Sequence, residues 1–231
     1  MTTAQISELK KRASYKAVEF VRDGMLVGLG TGSTATFAVD ALAERINQGL
    51  KVEAIATSEK TAEQARRLGI KLTDFSHHHQ LDLTIDGADE VEVGTLNLIK
   101  GLGGALYREK IVASVSKRLV IVVDESKLVN HLGTKTAVPV EVVPFGWELT
   151  VDRLRNLGSA PELRLTSDKK PYLTDNGNYI IDCRFGQIEN SALLAEQIGL
   201  TIGVVESGLF VNMTSLVVAA KSQGIELLNR S

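Results

Sequence analysis

The run Met25-Leu26-Val27-Gly28-Leu29-Gly30-Thr31-Gly32-Ser33-Thr34 passes from an apolar stretch into glycines and hydroxyls. Over 34–46, Phe37, Ala38, Ala41, Leu42 and Ile46 then recur at helical spacing. A buried strand, a glycine loop and a helix in that order open a βα unit. Upstream, residues 6–21 carry Ile6, Leu9, Ala13, Ala17, Phe20 and Val21 on one helical face, and Gly24 ends the segment. Downstream the alternation continues. A strand over 52–56 leads to a helix that opens at Ser58 and Glu59 and runs to Gly69. A weaker strand covers 71–73 and a stronger one 81–85, ending at Asp86. A helix over 105–116 and a strand over 119–123 complete the half. Strands alternating with helices predict a parallel sheet covered on its faces.

The pattern changes near residue 130. Residues 138–143 are β-rich, 149–157 helical, and 162–165 and 179–183 again β-like, with the turn Asp175-Asn176-Gly177-Asn178 before the last. A helix over 191–198 and a strand over 201–205 follow. The order β-α-β-β-α-β predicts a small open-faced α+β sandwich of ferredoxin-like type. The apolar, strand-like stretch 209–219 returns to the first sheet, which makes the small domain an insertion near the C-terminus. The expected division is 1–130 with 206–231 as the larger α/β domain, and 131–205 as the smaller one.

Composition narrows the function. In 231 residues, 44% are apolar and 23% charged, an ordinary globular balance that can bury a sizeable core without staples. Twenty-six basic against 28 acidic residues leave a net charge of −2, which argues against a nucleic-acid partner. The single cysteine, Cys183, allows no internal disulfide or Cys-rich zinc site and suits a reducing cytoplasm. The first twenty residues mix charge with apolar residues, unlike a signal peptide, and no apolar run reaches membrane-spanning length.

Four loops carry the candidate chemistry. Loop 28–34 places glycines and the hydroxyls of Thr31, Ser33 and Thr34 at a helix start. It reads as a phosphate cradle or as a tight turn with a capped helix. It has neither the Gly-Lys-Ser/Thr of a P-loop nor the G-x-G-x-x-G of a dinucleotide site. Asp86-Gly87-Ala88-Asp89-Glu90 sits at a strand's carboxyl end, where open α/β sheets bind ligands. Its acids are a solvated turn, an acid–base pair or, on weak grounds, a metal site. Lys100-Gly101-Leu102-Gly103-Gly104 opens the next helix. Its amides with Lys100 suit an oxyanion hole, and Glu109 faces either that pocket or solvent. Lys127, in Asp124-Glu125-Ser126-Lys127, is a candidate anion ligand or part of a plain helix start. His77-His78-His79 is a poor metal site, because adjacent side chains diverge. Cys183 reads as packed rather than reactive.

Together, GLGTGSTA (28–35), TSEKTAEQARRLGI (57–70), DLTIDGADEV (82–91), LIKGLGGALYREKIVA (98–113), VDESKLV (123–129), AVPVEVVPFGW (137–147) and TDNGNYIIDCRF (174–185) strongly resemble the A-type ribose-5-phosphate isomerases. The resemblance spans nearly the whole chain. Leu102 departs from the Gly or Arg usual in that family, at a position where only the backbone should matter. The resemblance implies a Rossmann-like sheet with a small α+β domain, no metal and no cofactor, a sugar-phosphate substrate, and a homodimer or homotetramer. It further implies that Thr31, Gly32, Ser33 and Thr34 bind substrate, that Asp86, Gly87, Ala88, Asp89, Lys100, Gly101, Leu102 and Gly103 line the reacting end, that Lys127 contacts substrate, and that Glu109 is the base. Asp86, assisted by Asp89, is the expected ring-opening group, and Lys100 is expected to stabilise an enediolate. Rival readings are a sugar-phosphate sensor, disfavoured by the lack of a helix-turn-helix segment, and a sibling such as an amino-sugar phosphate deaminase or a CoA transferase.

Overall fold

The computed structural model of the protein describes residues 1–230. Helix α1 (Thr3–Val18) starts at Thr2, whose hydroxyl accepts from the Gln5 amide while the Gln5 side chain accepts from that of Thr2, a capping box. Then follow β1 (Leu26–Leu29), α2 (Ala35–Asn47), β2 (Glu53–Ala56), α3 (Glu59–Arg67), β3 (Leu83–Gly87), the short β4 (Glu90–Glu92) and β5 (Leu98–Ile99), α4 (Leu106–Ser114), β6 (Leu119–Asp124) and β7 (Leu128–Val129). The second half runs β8 (Val138–Val142), α5 (Trp147–Asn156), β9 (Ala160–Leu163), β10 (Tyr179–Arg184), α6 (Ser191–Gly199), β11 (Val204–Ser207), β12 (Leu209–Phe210), β13 (Leu216–Lys221) and β14 (Gly224–Leu228).

The main sheet has the order β14-β13-β6-β3-β1-β2, parallel except for the terminal β14. β1, β6 and β13 are almost wholly apolar and buried, as strands covered on both faces must be. One face carries Leu42, Val39 and Ala17 of the helices over Val27, Leu83 and Val218. Each fully buried Leu or Val contributes about 1.5–3 kcal/mol by leaving water. From β1 the chain moves outward to β2, while β3 lies on β1's other side. The carboxyl ends of β1 and β3 therefore flank a topological switch point, where open α/β sheets form a crevice.

The small sheet, β11-β8-β10-β9, is antiparallel, with a core of its own around Val140, Ile181, Leu154 and Ile198. A turn over 174–178 fastens it to the main sheet. Buried Glu141 on β8 accepts there from Thr174, Asn176 and Asn178, and Asp175 accepts from the Glu59 amide at the start of α3. Arg108 of α4 closes the clasp through Glu59 (2.8 Å) and Asn176 (3.0 Å).

Several expected elements differ. Residues 71–73 form no strand; only Leu72 bridges Ala54 beyond the sheet's edge. The stretch 209–219 splits into β12 and β13 around Asn212, whose φ is +59°. The strand expected at 201–205 starts at Val204, because amide bonds from Thr201 to Ile198 and from Val204 to Thr201 carry a turn off α6. A third sheet, β12-β5-β4-β7, has strands of two or three residues, too short for periodicity to reveal.

Candidate active site

The glycines in and just after β1 let two strand ends approach closely. A Cβ on Gly28 would meet Thr84, and one on Gly30 would meet the Asp86 carboxylate. Gly32 has φ +117°, a conformation that favours glycine. The Thr31 amide donates to Asp86 Oδ1 (3.1 Å), while its hydroxyl turns from the cleft into a cluster with Thr57, Ser58 and Thr61. Ser33 and Thr34 face the opening instead. Thr34 begins α2 with no side chain capping the helix, so the positive end of the helix dipole is open to an anion. From α1, Lys10 Nζ donates to Ser33 Oγ at 2.9 Å, a cation that sequence reasoning left unassigned.

Behind this loop lies a buried charge triad. Asp86, at the end of β3, accepts from Thr31 and Gly87 amides through Oδ1, and its Oδ2 lies 2.9 Å from Lys100 Nζ. Lys100 Nζ also donates to the Gly87 carbonyl (2.5 Å) and stands 3.4 Å from Glu109 Oε2. The three residues are 1%, 2% and 3% exposed. Burial raises the Asp86 carboxyl against the opposing pull of Lys100 and the amides. Burial alone would lower Lys100, but Asp86 and Glu109 outweigh it and hold the ammonium charged. Glu109 lies in the first turn of α4, facing the cleft. Burial pushes its carboxyl up to about 8, although Lys100 pulls the other way, and Oε2 makes no hydrogen bond.

The other loops close the cleft, which holds about 420 Å³ of empty space, its open mouth included. Gly87, Ala88, Asp89, Gly101, Gly103 and Lys127 line it together with the 31–34 loop. Asp89 accepts from the Leu102 amide (2.9 Å), and the Leu102 side chain points outward, 49% exposed. Lys127 sits on a single 3-10 turn that Asp124 caps through the Ser126 amide.

Thus the four expected loops meet at the switch point. Asp86 lies beneath the cleft rather than on its wall, reaching it through Lys100. The histidines do not converge: His77 turns to Asp74 and His78 to Glu53. Cys183 is buried, and burial pushes its thiol up to about 12. Sequence reasoning left Lys10 unassigned, and it missed the hydroxyl cluster around Thr57 and Arg164 of the small sheet, which donates to loop 100–104.

Residues 53–224 match the family model described as ribose 5-phosphate isomerase A (phosphoriboisomerase A). A ribose-5-phosphate isomerase A of Synechococcus sp. (strain JA-3-3Ab) is 55% identical over 229 residues, covering 99% of this chain and all of that one. The solved ribose 5-phosphate isomerase A of Methanocaldococcus jannaschii is 40% identical, with a TM-score of 0.93 over 96% of this chain and 99% of that one. A D-ribose-5-phosphate isomerase solved in complex with phospho-erythronic acid is 35% identical, with a TM-score of 0.94 over 97% of this chain and 99% of that one. On the match of most of its length, the chain belongs to the ribose 5-phosphate isomerase A family.

Proposed function

We propose that Glu109 is the acid–base group of an aldose–ketose isomerisation. The chain is an isomerase that interconverts D-ribose 5-phosphate and D-ribulose 5-phosphate, a step of the non-oxidative pentose phosphate pathway. The observation that carries the role of Glu109 is the buried carboxyl of a cleft-lining residue beside Lys100, with Oε2 free of hydrogen bonds.

The phosphate would sit at the open start of α2, on Ser33, Thr34 and the amides around Gly32, with Lys10 and Lys127 as counter-charges. Ring opening falls to the Asp86–Lys100 pair with Asp89. Asp86 has both oxygens engaged, so it acts by aiming Lys100 at the ring oxygen. Asp89 takes the proton from the anomeric hydroxyl and delivers it to the ring oxygen as the C1–O bond breaks, while Lys100 stays charged and stabilises that oxygen. Glu109 then removes the proton from C2 and returns it to C1, while a proton moves from the C2 hydroxyl to the C1 oxygen. A carboxyl near pKa 8 is a far better match to a carbon acid than an ordinary glutamate. Lys100 and the Gly103 amide stabilise the enediolate charge in a site shielded from water.

Three further readings accompany this one. The division at 131–205 follows the separate cores of the two larger sheets. The protein is cytoplasmic, in keeping with its one reduced, buried cysteine; among the described residues no helix is long and apolar enough to cross a membrane. It assembles as a homodimer or homotetramer, the expectation that comes with the family's likeness.

The test is ribulose 5-phosphate formation from ribose 5-phosphate by the purified protein in excess EDTA, alongside Glu109→Gln. Turnover lost in the variant supports the reading. Binding without turnover by the unsubstituted protein would contradict it and favour a sensor or a sibling enzyme.

A further inference from the structure

Loop 100–104 is fastened from two sides. On one, Asp89 accepts from the Leu102 amide. On the other, Arg164, just beyond β9, donates from Nη1 to the carbonyl oxygens of Gly101 (2.9 Å) and Leu102 (3.1 Å). Its Nε and Nη2 grip Asp182 of β10, with Nε 2.9 Å from Oδ2, so one guanidinium spans the small sheet and the loop. The side chain is only 13% exposed. Its head lies 6.0 Å from the centre of the Tyr172 ring, and the Tyr172 hydroxyl fills the space that a Cβ on Gly104 would need.

A trans peptide points its N–H opposite to its C=O, and among the described residues no peptide is cis. By taking the Gly101 and Leu102 carbonyls toward the small sheet, Arg164 turns the amides of Leu102 and Gly103 away from it. The Leu102 amide meets Asp89, as observed. The Gly103 amide belongs to a residue that lines the cleft beside Glu109. A cation on both carbonyls also polarises the two peptides, which makes their N–H groups stronger donors.

We propose that Arg164 is a positioning residue for this isomerase: from the small sheet it sets and polarises the Gly103 amide as a donor to the developing enediolate oxygen. The inference rests on the reading of Glu109 as the base. A donor that matters only as charge develops acts on kcat and leaves ground-state binding alone.

The experiment compares Arg164→Ala, Arg164→Lys and Glu109→Gln for kcat, KM, pH profile and melting temperature. Arg164→Ala should lose about 30- to 100-fold in kcat, the scale of a misplaced catalytic group. Its KM should stay within about threefold, because uniform binding is untouched. The pH midpoint set by Glu109 should not move, and added guanidinium ion should restore part of kcat. Arg164→Lys keeps the charge but not the fork, and should fall between. A folded Arg164→Ala with unsubstituted kcat overturns the proposal, as does a loss that appears in KM alone. Should Arg164→Ala fail to fold, Arg164→Lys decides: reduced kcat at constant KM supports the proposal, and unchanged kcat overturns it. If Glu109→Gln is inactive while both Arg164 variants are unimpaired, only this proposal fails. If Glu109→Gln stays active, the underlying reading fails and this one with it.

Discussion

Lys100 Nζ lies 3.4 Å from Glu109 Oε2, and that oxygen is buried and accepts no hydrogen bond. The pair is close enough for charge attraction but leaves Oε2 free to take a proton from carbon. Removing a proton from carbon needs a base whose affinity for it is high yet which is ionised at the working pH. Burial raises the Glu109 carboxyl, and Lys100 keeps it from rising out of range.

Activity should therefore follow the ionisation of Glu109. The base must be deprotonated to act, so kcat/KM for ribose 5-phosphate should climb with pH through a midpoint near 8 and level off above it. A flat profile from pH 6 to about 9 would separate activity from this carboxyl.

The same shift acts on stability. The folded carboxyl holds its proton up to about 8, against an ordinary value of 4.5, so between those pH values the folded state binds more protons than the unfolded chain. Stability then falls as pH rises through that window. Glu109→Gln removes the group and should raise the melting temperature relative to the unsubstituted protein at pH 8, with the gap closing toward pH 4.5. Paired thermal melts at the two pH values check this.

Breaking the triad should cost both fold and function. Lys100→Met leaves the Asp86 carboxylate buried without its cation, a change that costs about 3–5 kcal/mol. With the ammonium gone, the residual activity should show a midpoint above that of the unsubstituted protein, because Lys100 is what pulls Glu109 down. Denaturant unfolding and a pH profile of the variant measure the two effects.

Lys10 tests the phosphate end separately. Its ammonium reaches Ser33 at the open start of α2 and makes no contact with Lys100 or Glu109. Lys10→Ala should raise KM about tenfold, or 1.4 kcal/mol of lost binding, with kcat little changed. The effect should shrink as salt is added.

Much of this was legible in the sequence because strand–loop–helix units announce themselves through periodicity and glycine. Gly28, Gly30 and Gly32 mark the crossing at β1, and the apolar 119–123 run marks a doubly covered strand. The small sheet followed from its alternation and the Asp175–Asn178 turn. The order of four loops located the cleft, since loops at strand carboxyl ends must converge there. What escaped was set by tertiary geometry. β4, β5, β7 and β12 are too short to carry a pattern. Asp86 reads like any acidic turn residue, and only its bonds to two amides and Lys100 place it beneath the cleft. Arg164 lies 62 residues in sequence from the Leu102 carbonyl it holds, a distance no local signal spans.

The central claim is that Glu109 takes the proton from C2, and its most direct measurement follows that proton. Ribose 5-phosphate carrying deuterium at C2 is incubated with the unsubstituted protein and with Glu109→Gln, and loss of the label from C2 is followed by NMR. Glu109→Gln should remove it about 10²–10⁴-fold more slowly, the usual contribution of a positioned base, while binding the sugar phosphate with similar affinity. Label loss from C2 at an undiminished rate in Glu109→Gln would contradict the account.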